Sequence, residues 1–185
     1  EERSEDMVSL VHGRAMVLSA KLGVKSDGTI VGLDCEVVAD SGAYPAIGGF
    51  LTFLTQTMIQ GVYQIPKIRF HAVTAATNTT TTGAYRGAGR PEATQILERV
   101  IDVAADELGM DPAEIRRKNF LQPDVFPYTT LGGAAYDSGE YERALDAVLA
   151  AAGYQDLLAQ QKARRESGDP KQLGIGVSSY VEITA

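Results

Sequence analysis

Tyr85-Arg86-Gly87-Ala88-Gly89-Arg90-Pro91 places two guanidinium groups and two glycines in a short loop that ends on a proline. Glycine allows a backbone to approach a ligand closely. Proline favours the first turn of a helix, and a helix N-terminus attracts anions. Arg86 adds a planar fork of donors that suits an oxygen-rich, negatively charged group. The loop therefore has the parts of an anion cradle. The same parts also suit a plain turn into a helix, and the residues alone leave both options open.

Few other residues compete for chemistry. His12 and His71 are far apart in sequence, and Cys35 is the one cysteine. They make no zinc-ligand pattern, and no intrachain disulfide is possible. Cys35 falls in an apolar run that reads as a strand, so it is expected to be a buried, inert thiol. Glu92 and Glu98 stand near a helix start, where carboxylates are favourable, and are expected to be solvated or structural. Glu36 and Asp40 lie in a strand with no partner apparent from sequence. Arg116-Arg117-Lys118 and the Lys162–Arg165 cluster read as solvated helix ends or faces.

The elements around the loop follow from periodicity. Residues 15–24 alternate, Ser26-Asp27-Gly28-Thr29 is a turn, and residues 30–39 alternate again, which predicts a β-hairpin. The apolar stretch 45–60 is expected to be partly helical and to end at Gly61. Residues 67–77 read as another strand, and Asn78 with the four threonines 79–82 reads as extended or looped chain leading into the Arg86 loop. Residues 91–108 carry apolar side chains at spacings of three and four, from Ala93 through Ile96, Leu97, Val100, Ile101 and Ala104 to Leu108. This pattern predicts a long helix closed by Gly109. Asp111-Pro112 opens a second helix to about Asn119. Ser138 is a candidate cap for a third helix to about Ala152, and a fourth spans about 154–166. Leu173–Ile183 reads as a final strand. Strands and helices do not alternate strictly, so the expected class is α+β.

Composition narrows the classes of function. With 185 residues, 44% hydrophobic and 22% charged, the chain can build a globular core. A net charge of −7 opposes nucleic-acid binding. No run reaches the roughly 18 apolar residues of a membrane span. The acidic start, Glu1-Glu2-Arg3-Ser4-Glu5-Asp6, is unlike a signal peptide. A cytoplasmic location is expected. The chain lacks an initiator methionine and stops in a β-like run at Ile183-Thr184-Ala185, so it is expected to be a piece of a longer protein.

Several motifs, in order, carry a family resemblance: Arg3-Ser4-Glu5-Asp6-Met7, Asp27-Gly28-Thr29-Ile30-Val31, Gly42-Ala43-Tyr44, Tyr63-Gln64-Ile65-Pro66-Lys67-Ile68-Arg69, Ala84-Tyr85-Arg86-Gly87-Ala88-Gly89, and Asp111-Pro112-Ala113-Glu114-Ile115-Arg116-Arg117-Lys118-Asn119. Together they resemble the molybdenum-cofactor-binding large subunit of the xanthine dehydrogenase and aldehyde oxidase family, which includes molybdenum carbon monoxide dehydrogenase. The resemblance covers nearly the whole chain. It implies a molybdenum ion held by a pterin dithiolene, often the cytosine dinucleotide form, with iron–sulfur clusters and FAD on other domains or subunits. It implies hydroxylation of a substrate carbon with oxygen from water. Residues 1–170 would form part of the first cofactor-binding lobe, and 171–185 the first strand of the second.

Carried over residue by residue, Arg86 matches the arginine that contacts the cofactor, flanked by Tyr85 and Gly87. Ala88 stands where xanthine- and aldehyde-oxidising members often have a phenylalanine beside the substrate. Leu54 stands where xanthine enzymes carry a substrate-orienting arginine. Both departures put purine oxidation in doubt. Gly87 stands where true carbon monoxide dehydrogenases carry a copper-binding cysteine. Arg90 replaces a common glycine or phenylalanine, as a rim or helix-cap residue. No catalytic residue and no metal ligand is assigned to this chain. The family's catalytic glutamate and a further glycine-rich loop are expected outside it, so the piece alone is expected to be inactive. The implied function is part of a molybdenum hydroxylase oxidising an aldehyde or a non-purine N-heterocycle. The alternatives are a carbon monoxide dehydrogenase large subunit and a non-catalytic assembly or binding module.

Overall fold

Alternating side chains and one tight turn build the sheet. β1 (Met16–Val24) runs into Lys25–Thr29, where the Gly28 φ of 86° and an acceptor on Asp27 Oδ1 for the Thr29 N–H turn the chain. It returns as β2 (Ile30–Gly42), antiparallel to β1 from Met16 opposite Ala39 to Val24 opposite Ile30. β3 (Ile68–Ala76) lies parallel to β2 on its other edge, from Leu33 opposite Ile68. The order β1-β2-β3 makes β2 the central strand. Its inward residues Leu33, Cys35, Val37 and Ala39 are buried. The computed structural model describes residues 2–183.

A parallel pair needs a crossover. Here it is a 3-10 turn (Ile47–Phe50), α2 (Leu51–Met58) and the buried run Ile59, Val62, Tyr63 and Ile65. α3 (Arg90–Leu108) then packs on β1 and α2, burying Ala93, Ile96, Leu97, Ile101 and Ala105. It ends at Gly109, whose φ of 63° admits the left-handed cap. The Asp111 carboxylate accepts from the Ala113 and Glu114 N–H groups at 2.7 and 3.3 Å and starts α4 (Pro112–Asn119). α5 (Tyr141–Ala152) and α6 (Tyr154–Ser167) meet at Gly153. The class is α+β, as expected.

Several expectations change. The N-terminal residues form α1 (Arg3–Ser9), started by the Glu5 carboxylate accepting from the Glu2 N–H. The loop after α4 holds a small antiparallel pair, β4 (Tyr128–Thr129) with β5 (Ala135–Tyr136). Ser138 does not cap α5; Glu140 precedes the helix, and Ser138 turns back onto Asp137. Residues 171–183 form no strand among the described residues. Their burial alternates, with Leu173, Ile175, Val177, Ser179, Val181 and Ile183 half-buried, but among the described residues no strand pairs with them. Thr184 and Ala185, part of that expected strand, lie outside the described residues. Arg116 is not a solvated helix end: it is 0% exposed in the core.

Among the described residues, no helix is long and apolar enough to cross a membrane.

Candidate cofactor-facing loop

The Thr run delivers the loop by a double attachment. On one side Asp40 at the end of β2 accepts hydroxyl hydrogen bonds from Thr77 and Thr79, at 2.7 and 2.8 Å. The Gly42 N–H and these two hydroxyls hold the Asp40 carboxyl below the usual carboxylate range. On the other side the His12 N–H donates to the Thr81 carbonyl at 3.2 Å, and the Gly83 N–H donates to the His12 carbonyl at 2.7 Å. Asp40 thus has the partners that sequence did not reveal, and so does Glu36, which pairs with Arg69 at 3.0 Å.

The loop then turns through three consecutive positive φ angles: Gly87 at 89°, Ala88 at 37° and Gly89 at 92°. Such a run is uncommon outside glycine. Neither glycine has room for a side chain. A Cβ on Gly87 would lie 2.5 Å from Pro91 Cγ, and one on Gly89 would lie 2.7 Å from Leu54 Cβ. The second contact seats the loop directly on α2, so Leu54 and the Ala88 turn are brought together as neighbours. α2 also leaves Phe53 exposed on the same short helix.

Three arginines gather at this end of α3, and their fates differ. Arg14 NH1 pairs with Glu92 Oε1 at 2.9 Å, its NH2 donates to the Arg86 carbonyl, and its guanidinium lies 5.2 Å from the Tyr85 ring centroid. Arg90 pairs with Glu182 at 3.1 Å. The Arg86 side chain is exposed and has no partner among the described residues. Arg86, Gly87, Arg90, Pro91, Thr94 and Tyr180 are among the residues lining an open cleft of about 600 Å³. Glu92 is only 4% exposed, and its Oε2 has no hydrogen-bond partner among the described residues. The site thus offers one unneutralised guanidinium, backbone in left-handed geometry, and an unused buried acceptor close behind. It can hold an anion; the one carboxylate among the described lining residues, Glu182, is paired with Arg90.

The structure places Tyr85, Arg86, Gly87 and Ala88 on one loop with Leu54 against it. Arg14 was not legible as part of this site. It is 72 residues from Arg86, and its one local signal, a φ of 66°, is a backbone property. Glu98 proves structural. It accepts from the Tyr63 hydroxyl at 2.6 Å, Arg116 Nε at 2.9 Å and the Ser179 N–H at 2.9 Å. Cys35 is buried as expected, and burial pushes its thiol up to about 11. No group of three or more metal-ligating side chains forms among the described residues.

Comparison with known proteins fits this geometry. A family model described as the molybdopterin cofactor-binding domain matches residues 1–120. The carbon monoxide dehydrogenase large chain of Hydrogenophaga pseudoflava is 39% identical over 99% of this chain and 23% of its own length. Quinoline 2-oxidoreductase from Pseudomonas putida 86 superposes with a TM-score of 0.83 at 29% identity, covering 91% of this chain and 22% of that one. Carbon monoxide dehydrogenase from Oligotropha carboxidovorans superposes with a TM-score of 0.82 at 34% identity, covering 91% and 21%. The chain spans about a quarter of the length of these relatives. With that family model matching residues 1–120, about two thirds of its length, the chain belongs to the molybdopterin cofactor-binding domain family.

Proposed function

We propose that this chain forms one wall of the cofactor site in a molybdenum hydroxylase large subunit that oxidises an aldehyde or a non-purine N-heterocycle. The observation that carries the proposal is the unpartnered Arg86 guanidinium beside the cleft at the start of α3. A molybdenum pterin, often in its cytosine dinucleotide form, is anionic and rich in oxygen. Its chemistry matches a guanidinium left without a carboxylate. When bound, the group supplies the redox centre at which a substrate carbon gains oxygen from water. The residues of this chain bind and orient: Arg86 offers the charge, Gly87 lets the backbone come close, and Tyr85 flanks the pair. Iron–sulfur clusters and a flavin on other domains or subunits would take the electrons away from that centre, in a cytoplasmic enzyme. Residues 1–170 would belong to the first cofactor-binding lobe, and the extended 171–183 segment would lead into the second.

Substrate class follows from what the loop cannot do. Leu54 lies against Gly89, next to Ala88 in the loop, and neither Leu54 nor Ala88 can stack on or donate to a purine ring. Carbon monoxide oxidation is the second reading, favoured by the 39% identical relative. Against it stands Gly87, where the family resemblance would require a copper-binding cysteine. With a φ of 89° and Pro91 at 2.5 Å, this backbone has no room for one. Cys35 lies in the core and is held protonated by burial.

Metal analysis and substrate profiling of the full-length protein with an artificial electron acceptor test the proposal. Molybdenum with pterin and turnover of aldehydes or N-heterocycles is the expected result. Active protein without molybdenum overturns the proposal, and stoichiometric copper with carbon monoxide turnover establishes the second reading.

A further inference from the structure

We propose that Arg14 is a positioning residue: its guanidinium clamps the loop so that the Arg86 side chain faces the cleft. The step from clamp to cofactor rests on the reading above that Arg86 meets the molybdenum pterin. Arg14 ties the loop to the first turn of α3 through three contacts. NH2 donates to the Arg86 carbonyl, NH1 pairs with Glu92 Oε1 at 2.9 Å, and the guanidinium lies against the Tyr85 ring at 5.2 Å. A planar fork serves a carbonyl and a carboxylate at once from fixed directions; an ammonium on a flexible stem is a compact charge without that rigid geometry.

The surroundings are organised for this contact. Glu92 is the third residue of α3, the position whose carboxylate commonly folds back on the helix N-cap amide. Here it pairs with Arg14 instead. Arg14 itself sits at a φ of 66°, an uncommon angle for a residue with a side chain. The His12 and Gly83 backbone bonds to the neighbouring segments hold that conformation in place. Gly13 lies so close to the loop that a Cβ there would meet Tyr85 Cβ at 2.7 Å. Arg14 and Arg90 each spend their charge on a carboxylate of this chain, so the arginine left for a ligand is the one whose backbone Arg14 grips.

Two readings on the full-length protein test this, with Arg14→Gln, Arg14→Lys and Arg86→Ala. The first is hydrogen exchange in protein isolated without cofactor. Arg14→Gln should speed exchange at the Ala88 and Arg90 amides on the order of tenfold, as for loss of one hydrogen bond to a charged group, while the Ile96–Ile101 amides of α3 stay slow. The second is molybdenum retained through dialysis by protein made with cofactor supply. It should fall about tenfold in Arg14→Gln, as when a group behind a metal-site residue is removed. Arg14→Lys, which keeps a charge for Glu92 without the fork, should recover the thermal midpoint yet leave the loop fast. Unchanged loop exchange in Arg14→Gln, or equal acceleration throughout α3, overturns the clamp. Full molybdenum with a fast loop overturns the positioning role while Arg86→Ala still loses metal. If Arg86→Ala also keeps its molybdenum, the cofactor reading fails first, and the positioning role fails with it. The exchange data then decide the clamp alone.

Discussion

Two arginine–glutamate pairs are built on the same helix, six residues apart, and they are finished differently. Arg116 and Glu98 form a closed network. Arg116 Nε reaches Glu98 Oε2, NH1 the Pro112 carbonyl, and NH2 both the Glu98 carbonyl and Asp102 Oδ1. Glu98 is further satisfied by Tyr63 and Ser179. At the loop end, Arg14 and Glu92 form an open one. The Arg14 side chain is one-third exposed, and Glu92 Oε2 is buried with no partner among the described residues. Adjacent Arg86 has no acceptor for its side chain among the described residues. A buried charge pair whose contacts all go to its own neighbours in the core holds that core together. A pair with valences to spare shapes a surface for something else.

The sharpest way to break this contrast is Arg116→Ala. It leaves Glu98 buried without its cation and should cost about 3–5 kcal/mol in urea unfolding of the chain. At the open end Gly87→Ala should cost less, about 1–3 kcal/mol, through its positive φ and the contact with Pro91. Tyr63→Phe removes one donor from the closed network and should cost about 1 kcal/mol. The same tyrosine gives the network a pH signature. Burial, then the nearby Glu98 charge, raises the Tyr63 hydroxyl well above the ordinary tyrosine range. Its stabilising effect is therefore complete below about pH 10, where an exposed tyrosine ionises, and is lost as pH rises beyond that point. Burial also pushes Tyr154 up to about 12, in the same direction. The urea midpoint should accordingly fall above pH 10, and a flat profile to pH 12 would contradict the closed network. The smallest expected effect on unfolding is that of Arg86→Ala, within about 0.5 kcal/mol, because an exposed side chain without partners holds nothing together.

Local patterns carried much of this fold. The Asp27-Gly28 turn and its flanking alternation gave the hairpin, and the spacing from Ala93 to Leu108 gave α3. The same alternation was misleading at Leu173–Ile183. It places every second residue inward, but a strand also needs a neighbour, and none pairs with this segment among the described residues. The parallel pairing of β2 with β3 was not legible, because it depends on a crossover of some two dozen residues. Arg116 was misread because a basic triplet at a helix end is usually solvated. Its partner Glu98 lies 18 residues earlier and becomes visible only when α3 and α4 pack together. At the loop, the types and order of Tyr85, Arg86 and Gly87 left an anion cradle and a plain turn both open, and the cofactor reading came from the family resemblance. The clamp on that loop was hidden, because Arg14 sits in the irregular chain before β1, where no periodicity marks it.

In the proposed site, the open end of α3 leaves Arg86 free for a molybdenum pterin. Molybdenum and pterin per polypeptide, measured on the full-length protein and its Arg86→Ala and Arg86→Lys variants, test it most directly. Both variants should fold with an unaltered thermal midpoint. Arg86→Ala should lose most of its molybdenum and pterin, and Arg86→Lys should lose part. Full occupancy in Arg86→Ala, with the midpoint unchanged, would contradict it.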